Sequence, residues 1–286
     1  MAISLVTGAS SGIGLATAVT LARGGHNVIA TMRNLDGGAE LKKIAAAEKL
    51  PLTLGELNVD DDGSVDRAFS KIFAEHGRID VLVNNAGIGG SGSVEETSLA
   101  TFREIMETNF FGGLRCIKAV VPSMRQRRSG CIVNVTSISG RMALAPQAAY
   151  SASKFAFEAL SECLAQEMKA FNVRVAIVEP GVIATPIFSK AKPLSINSPY
   201  PQARRQRALF AKSLTKPTSP YIVGEKIREI VDGDSWQLRH PVGPDAVPFL
   251  QWRASKTDEE MILRAGATDE EFKLMAKHEF GLDVDL

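Results

Sequence analysis

The chain reads as an α/β protein, a doubly wound parallel sheet in a single domain with a helical extension at its C-terminal end. Three observations predict this. Over roughly the first 180 residues, short β-branched runs alternate with longer helix-like stretches. The runs are continuously apolar rather than alternating, the pattern of strands covered on both faces. A glycine-rich loop then joins the first run to the first helical stretch, a connection typical of such sheets.

Taken in order, the β-branched runs predict strands over 3–7, 27–31, 52–57, 81–84, 132–136 and 173–179, and helices over 12–24, 40–48, 65–76, 99–126 and 150–171. No internal repeat is visible. After Pro180 the pattern weakens. Pro186, Pro193, Pro199, Pro201, Pro217 and Pro220 argue against a long regular element, so 186–220 reads as a lid or binding segment. Ser219-Pro220 opens a helix running to about Val231. The capping boxes Thr257-x-x-Glu260 and Thr268-x-x-Glu271 predict short helices within the 234–286 extension. All 286 residues fit one domain of this class.

Composition excludes several functions. Hydrophobic residues make up 45% and charged residues 23%, and the formal net charge is +1, so no whole-molecule field points to nucleic acid or an anionic membrane. No apolar run reaches the roughly 18 residues a spanning helix needs, and the first residues already read as a strand, so a cytoplasmic protein is expected. Cys116, Cys131 and Cys163 are scattered and suit reduced, buried thiols. The four histidines form no metal-binding spacing, and no G-x-S-x-G elbow is present, so neither a metal site nor a serine hydrolase is expected. Arg125-Gln126-Arg127-Arg128 reads as a solvated helix end.

The loop Thr7-Gly8-Ala9-Ser10-Ser11-Gly12-Ile13-Gly14 carries the first functional signal. Glycines there let backbone N–H groups approach a diphosphate, and the following helix N-terminus favours negative charge. Its G-x-x-x-G-x-G spacing differs from the common dinucleotide fingerprint. Further pieces follow in order: Asn84-Asn85-Ala86-Gly87 at the end of the fourth strand, Asn109 in the next long helix, and Ser137 after the fifth strand. Tyr150-Ser151-Ala152-Ser153-Lys154 opens the next helix, and Pro180-Gly181 ends the sixth strand, with Thr185 beyond. Together these resemble the short-chain dehydrogenase/reductase family, non-extended branch, over about residues 2–231. The resemblance implies a Rossmann-type sheet and a nicotinamide dinucleotide. It implies contacts to that cofactor from Gly8, Ser10, Ser11, Gly12, Ile13, Gly14, Asn58, Val59, Asn85, Ala86, Gly87, Tyr150, Lys154, Pro180, Gly181, Ile183 and Thr185.

The second strand selects between the two forms of the cofactor. NAD-preferring relatives carry an acid that bonds the adenosine ribose; that position is Met32 here, and Arg33 follows. A guanidinium pairs bidentately with phosphate, so NADP(H) is expected, although the second basic residue of many NADP-preferring relatives is replaced by Ser11. Asn58 sits where relatives contact adenine, and its amide carbonyl can accept from the adenine amino group.

Hydride transfer to a carbonyl leaves an alkoxide that must be protonated, so the site needs a proton donor. A free tyrosine titrates at about 10, too high for this work, and a neighbouring cation lowers that value. Tyr150 and Lys154 stand four residues apart at a helix start and share a face. Lys154 can supply the shift and can also bond the nicotinamide ribose. Ser137 has a hydroxyl able to donate to the developing oxyanion; Ser139 would face similarly, and the resemblance selects Ser137. In the family the counterpart of Asn109 helps hold a water that relays protons toward the lysine; an amide satisfying a helix irregularity is the other reading of that residue.

Substrate class is carried by a less informative segment. Ile187, Phe188, Leu194, Ile196, Tyr200, Leu209 and Phe210 in the lid, with Met142, Ala143 and Leu144 opposite, favour a sizeable apolar ketone or alcohol. The stretch after the second strand and the C-terminal extension resemble the 17β-hydroxysteroid and retinol dehydrogenase branch. Arg204-Arg205-Gln206-Arg207 reads as an exposed helix face or as an anion site, which keeps a 3-oxoacyl-carrier-protein reductase open. A non-catalytic dinucleotide-binding regulator is the third reading, although both Tyr150 and Lys154 are present. Family members commonly form homodimers or homotetramers through the helices corresponding to 99–126 and 150–171.

Overall fold

A computed structural model describes residues 1–190 and 197–286. Seven strands form one parallel sheet: β1 (Ile3–Val6), β2 (Asn27–Met32), β3 (Leu52–Glu56), β4 (Val81–Asn84), β5 (Gly130–Val135), β6 (Val173–Pro180) and β7 (Arg239–Val242). Their order is β3-β2-β1-β4-β5-β6-β7. The winding reverses between β1 and β4, and a doubly wound sheet opens a crevice at the C-terminal ends of such strands.

The apolar runs are continuous because each strand feeds two cores. Val6, Val83, Val133 and Val178 face α1 (Gly12–Arg23) and α9 (Tyr221–Asp232), packing with Leu15, Val19, Val223 and Ile227. Their neighbours Leu5, Leu82 and Ile132, with Val175, face α3 (Asp62–His76), α5 (Gly113–Arg127) and α6 (Ala148–Lys169), among Phe69, Ile117, Val120, Phe157 and Leu164. Period-two alternation thus survives, with both faces dry.

Four expectations need correction. The helix expected over 99–126 is α4 (Leu99–Met106) and α5 joined through a π-helical turn, Glu107–Gly112. The extra residue of such a turn re-aims side chains, and Asn109 is turned inward and buried. The proline-rich segment contains, besides the single-turn α7 (Ile187–Lys190), a thirteen-residue helix, α8 (Pro201–Ser213). Pro201 stands at its first turn, where a missing N–H costs nothing, so this proline starts a helix instead of forbidding one. The C-terminal extension contains an edge strand, β7, besides α10 (Ala246–Ala254), α11 (Asp258–Ala265) and α12 (Asp269–Phe280). Four residues including Pro241 give no periodic signal, and proline is tolerated at an edge. Of the solvated helix end, Arg125, Gln126 and Arg128 are exposed, whereas Arg127 is half-buried and donates to Asp80 Oδ1 (3.0 Å) and to the Ile79 carbonyl (2.6 Å).

Both C-terminal capping boxes form, at Thr257–Glu260 and Thr268–Glu271. Pro193, Leu194 and Ile196 of the expected lid lie outside the described residues. Two of the three cysteines are buried, and Cys163 is exposed. No helix among the described residues is long and apolar enough to cross a membrane. Ser4, His26 and Asp232 meet, with His26 Nδ1 3.1 Å from Ser4 Oγ and Nε2 2.8 Å from Asp232. Ser4 is fully buried, so the trio is a clasp between β1 and the end of α9 and not a nucleophile.

α1 and α9 pack closely because Gly224 has no side chain: a Cβ there would lie 3.0 Å from both the Ala16 carbonyl oxygen and Thr20 Oγ1. Gly224→Val should therefore lower unfolding free energy by about 1–3 kcal/mol, read from the midpoint of urea denaturation.

Candidate active site

At the crevice, the loop after β1 is bound to the end of β4. Thr7 Oγ1 accepts from the N–H groups of Asn85 and Ala86, each at 3.0 Å, and the Asn85 side-chain amide donates to the carbonyls of Thr7 (2.9 Å) and Gly8 (3.2 Å). Gly8 (φ +66°) and Gly12 (φ +58°) take left-handed conformations that side chains resist. A Cβ on Gly8 would lie 2.7 Å from the Ala86 Cα, and one on Gly14 would strike the Gly8 carbonyl and the Asn85 amide. Thr185 closes the loop from the far side, 3.1 Å from where a Gly12 Cβ would stand.

Ser11 stands at the N-cap of α1 without a side-chain capping bond. The first N–H groups of the helix, from Gly12, Ile13 and Gly14, thus keep their hydrogen-bonding capacity for a ligand. These residues fit a dinucleotide diphosphate. Ser10 packs beside Gly37, so the loop after β2 borders the same cradle, and exposed Arg33 at its start makes no hydrogen bond or ion pair with a described residue. Asn58 Oδ1 accepts from Asp60 N–H at 3.3 Å. Val59 is placed differently: its side chain is buried in the core, and its carbonyl accepts from Arg115 at 3.2 Å.

Helix α6 carries Tyr150 at the end of a ladder of contacts along β5. Ser161 Oγ accepts from the Asn134 amide (2.8 Å), Glu158 from Thr136 Oγ1 (2.6 Å), and Lys154 Nζ donates to the Val135 carbonyl (3.1 Å). One turn further lies Tyr150, with the nearby Ser137 side chain opposing the effect of burial on its phenol. The spacing of three to four residues keeps all four on one helix face. Ser137 leaves β5 beside Pro180, with its Oγ 3.5 Å from the Pro180 carbonyl, and accepts from Ser139 N–H at 3.1 Å. Ser139 itself lies in a short helical turn, Ile138–Gly140.

Asn109 holds the near side. Its Oδ1 accepts from Ile88 N–H (2.8 Å), and its amide donates to the Ile88 carbonyl (3.0 Å) and Ser153 Oγ (3.0 Å). Ser153 in turn donates to the Tyr150 carbonyl at 2.7 Å. Gly87 brings the two sides together: a Cβ there would lie 3.3 Å from Asn109 Oδ1 and 3.7 Å from Lys154 Nζ. Sequence reasoning missed Thr7, Asn134, Ser153, Glu158 and Ser161. Their hydroxyls, amides and carboxylate act only through partners distant in the chain, although a polar group recurring on an otherwise apolar helix face was a readable hint.

Burial dominates the electrostatics. It pushes the Lys154 amine down to about 8, against the pull of Glu158. It raises the Tyr150 phenol, with the Ser137 side chain opposing. Lys154 Nζ, turned to the Val135 carbonyl, stands 5.7 Å from the Tyr150 ring centroid. Behind Lys154 lies a second charged group. Glu179 is fully buried, and neither of its carboxylate oxygens has a hydrogen-bond partner among the described residues. Burial, with the charge of Glu158 adding, pushes Glu179 up to about 7 while Arg141 (3.6 Å) and Arg239 (3.7 Å) pull it down. Arg239, on β7, also donates to Glu158 at 3.1 Å and Glu162 at 2.9 Å.

Over the crevice, Phe188 and Phe210 stack edge to face at 5.2 Å. Met142 packs with Ile138 and Ala246, against Leu144, Phe249, Leu250 and Trp252. Arg204 and Arg205 are committed: Arg204 binds Asp269 at 2.6–2.8 Å, and Arg205 binds Asp269 (2.8 Å) and the Ala267 carbonyl (2.6 Å). The arginine cluster therefore docks α8 onto the start of α12.

Residues 2–194 match the family model for short chain dehydrogenases. The chain is 40% identical over 275 residues to retinol dehydrogenase 8 of Bos taurus, covering 91% of this chain and 87% of that one. A short-chain dehydrogenase from Streptomyces avermitilis superposes with a TM-score of 0.80 at 36% identity, covering 94% and 96% of the two chains. Actinorhodin polyketide ketoreductase, solved with NADPH, gives a TM-score of 0.75 at 26% identity, covering 86% and 97%. The chain belongs to the short-chain dehydrogenase family and has its oxidoreductase fold.

Glu179 makes stability pH-dependent in a defined direction. The usual carboxyl value is 4.5, and the folded value is about 7. Between them the folded protein holds a proton that the unfolded chain has released, so stability falls as pH rises across this window. Thermal melts from pH 5 to 8 should show the wild-type midpoint falling relative to Glu179→Gln, which has no titrating group there.

Proposed function

We propose that this member of the short-chain dehydrogenase family is an NADP(H)-dependent oxidoreductase that interconverts a ketone or aldehyde with an alcohol on a sizeable apolar substrate. The observation that carries the reading is the α6 ladder, which sets Tyr150 against Ser137 and buries Lys154 one turn below, beside the glycine cradle. A dinucleotide bound along Gly8–Gly14, with Asn85, Ala86 and Gly87 at its side and Pro180, Gly181, Ile183 and Thr185 beyond, supplies or accepts the hydride. Tyr150 gives the proton to the carbonyl oxygen in reduction and takes it back in oxidation. A phenol raised by burial holds that proton at neutral pH, ready to be given. The Ser137 hydroxyl donates to the oxygen as negative charge develops there. Lys154 places positive charge near the phenol and so limits the cost of phenolate. Asn109 sets the position of Tyr150 through Ser153, and its proton-relay role belongs to this reading, beside the Gly87 that Lys154 also approaches.

Exposed, uncommitted Arg33 supports the 2′-phosphorylated cofactor, as does the NADPH in the polyketide ketoreductase. Asn58 keeps its side-chain amide for adenine; the buried Val59 side chain leaves that residue only its backbone to offer. The aromatic wall of Phe249 and Trp252 with Met142, and the Phe188–Phe210 pair above, support an apolar substrate, as does the likeness to retinol dehydrogenase 8. Arg204 and Arg205 give no support to a carrier-protein substrate, since Asp269 occupies both. Half-exposed Phe111 in the π-helical turn and Phe155 on α6 support a homodimer or homotetramer through these helices in the cytoplasm.

Purified protein should oxidise NADPH with members of a panel of apolar ketones and aldehydes. Tyr150→Phe should lower kcat by about 10²–10⁴-fold while leaving the NADPH dissociation constant within about twofold. Tight NADPH binding with no turnover across the panel would point instead to a regulatory protein, and a Tyr150→Phe variant of near-normal activity would remove the tyrosine from the mechanism. Arg33→Ala should weaken NADPH by roughly ten- to a hundredfold, the worth of a hydrogen bond to charge, and leave NADH unchanged. Equal losses for both cofactors would locate the 2′-phosphate elsewhere.

A further inference from the structure

Asp245 stands at the junction of β7 and α10, in the C-terminal extension. It occupies the N-cap of α10, where an aspartate ordinarily turns its carboxylate back onto its own helix. Here it makes no capping bond. Its Oδ2 instead accepts from the N–H of Val182 at 2.7 Å. Gly243, at φ +116°, turns the chain sharply between β7 and α10 and aims the carboxylate back at the sheet. The same turn is held a second time, where Gly181 N–H donates to the Val242 carbonyl at 2.9 Å.

The fit against Gly181 is tight. A Cβ on Gly181 would stand 2.5 Å from the Asp245 Cγ and 2.6 Å from Oδ2, so the carboxylate fills the space a side chain would need. A side chain at residue 181 would thus have to displace the Asp245 carboxylate. The other oxygen, Oδ1, is buried with no hydrogen-bond partner among the described residues. Burial raises the Asp245 carboxyl above its usual range, and the Val182 N–H pulls it back. No basic side chain contributes to that balance. A half-buried carboxylate held without a cation is costly, and a helix cap alone does not account for it.

We infer that Asp245 is a positioning residue of the dinucleotide site: it clamps the Pro180–Ile183 turn against the C-terminal extension and so holds the nicotinamide end of the cofactor. The extension is then a working part of the cofactor site and not only a cover for substrate. This rests on the proposed function, in which the nicotinamide lies at Tyr150 and Ser137, beside the Pro180 carbonyl that Ser137 Oγ reaches at 3.5 Å, while Arg33 takes the adenosine half. The two halves can be probed separately, because 2′-phospho-ADP-ribose carries every group of NADPH except the nicotinamide.

Dissociation constants of the purified full chain for NADPH and for 2′-phospho-ADP-ribose test it. Asp245→Ala should weaken NADPH by about tenfold or more and leave 2′-phospho-ADP-ribose within about twofold. Asp245→Asn, which keeps an acceptor for Val182 N–H, should bind NADPH within about threefold of wild type. Gly181→Ala drives a methyl group into the carboxylate and should show the same selective loss, and combining it with Asp245→Ala should be no worse than Asp245→Ala alone. If Asp245→Ala does not fold, Gly181→Ala and Asp245→Asn read the same contact. Unchanged NADPH affinity in Asp245→Ala or in Gly181→Ala, or equal loss of both probes, would overturn the inference. A wild-type protein that binds neither probe would overturn the dinucleotide reading itself, and this inference with it.

Discussion

The parallel register of β4, β5 and β6 is the constraint on which the site depends. Asn84 pairs with Asn134 and Val135 with Val178, so the three chains leave the sheet side by side. Asn85, Ser137 and Pro180 consequently emerge at one level of the crevice. A slip of one residue in any pair would send every side chain of that strand to the opposite core. The buried amide bond from Asn84 to Asn134 (2.9 Å), continued from Asn134 to Ser161, disfavours such a slip, because each misaligned amide would be left unpaired. Register thus reaches α6, and α6 carries Tyr150.

Charge is placed with the same economy. Burial favours the neutral form of Lys154, and Glu158 one turn below offsets part of that cost. Glu158 is in turn held by Thr136 and Arg239. Arg239 belongs to the edge strand β7, so the last strand of the sheet feeds back electrostatically on the lysine of the site. Glu179, immediately before Pro180, is the least satisfied member of the group. Two carboxyls and two arginines meet where a strand of apolar side chains would be more stable.

The C-terminal extension does more than its local sequence suggests. Through Asp269 it takes both Arg204 and Arg205 of α8, and through Phe249, Leu250 and Trp252 it builds a wall beside Met142. Phe280 closes that wall from α12, with its ring 4.5 Å from Phe249 and 5.0 Å from Trp252. Through Asp245 it reaches the turn after β6. The three helices are thereby fastened to the domain at several distinct points.

The sequence by itself determined the sheet, because fully buried parallel strands need continuous β-branched runs, and six such runs are legible. It also determined features that sit in local patterns: the glycine loop opening α1, the Tyr150–Lys154 pair at one helical turn of α6, and the two capping boxes. Local sequence falls silent where a residue's role depends on a partner far along the chain. Asp245 bonds Val182, sixty-three residues away, Arg204 and Arg205 read as an exposed or anion-binding face but pair with Asp269, and the Val59 side chain is turned into the core. Pro201 reads as a breaker, yet it begins a helix. Only the tertiary structure decided these, since the energy of a buried ion pair or hydrogen bond depends on the partner's distance and the exclusion of water, and neither is a property of neighbouring residues in the chain.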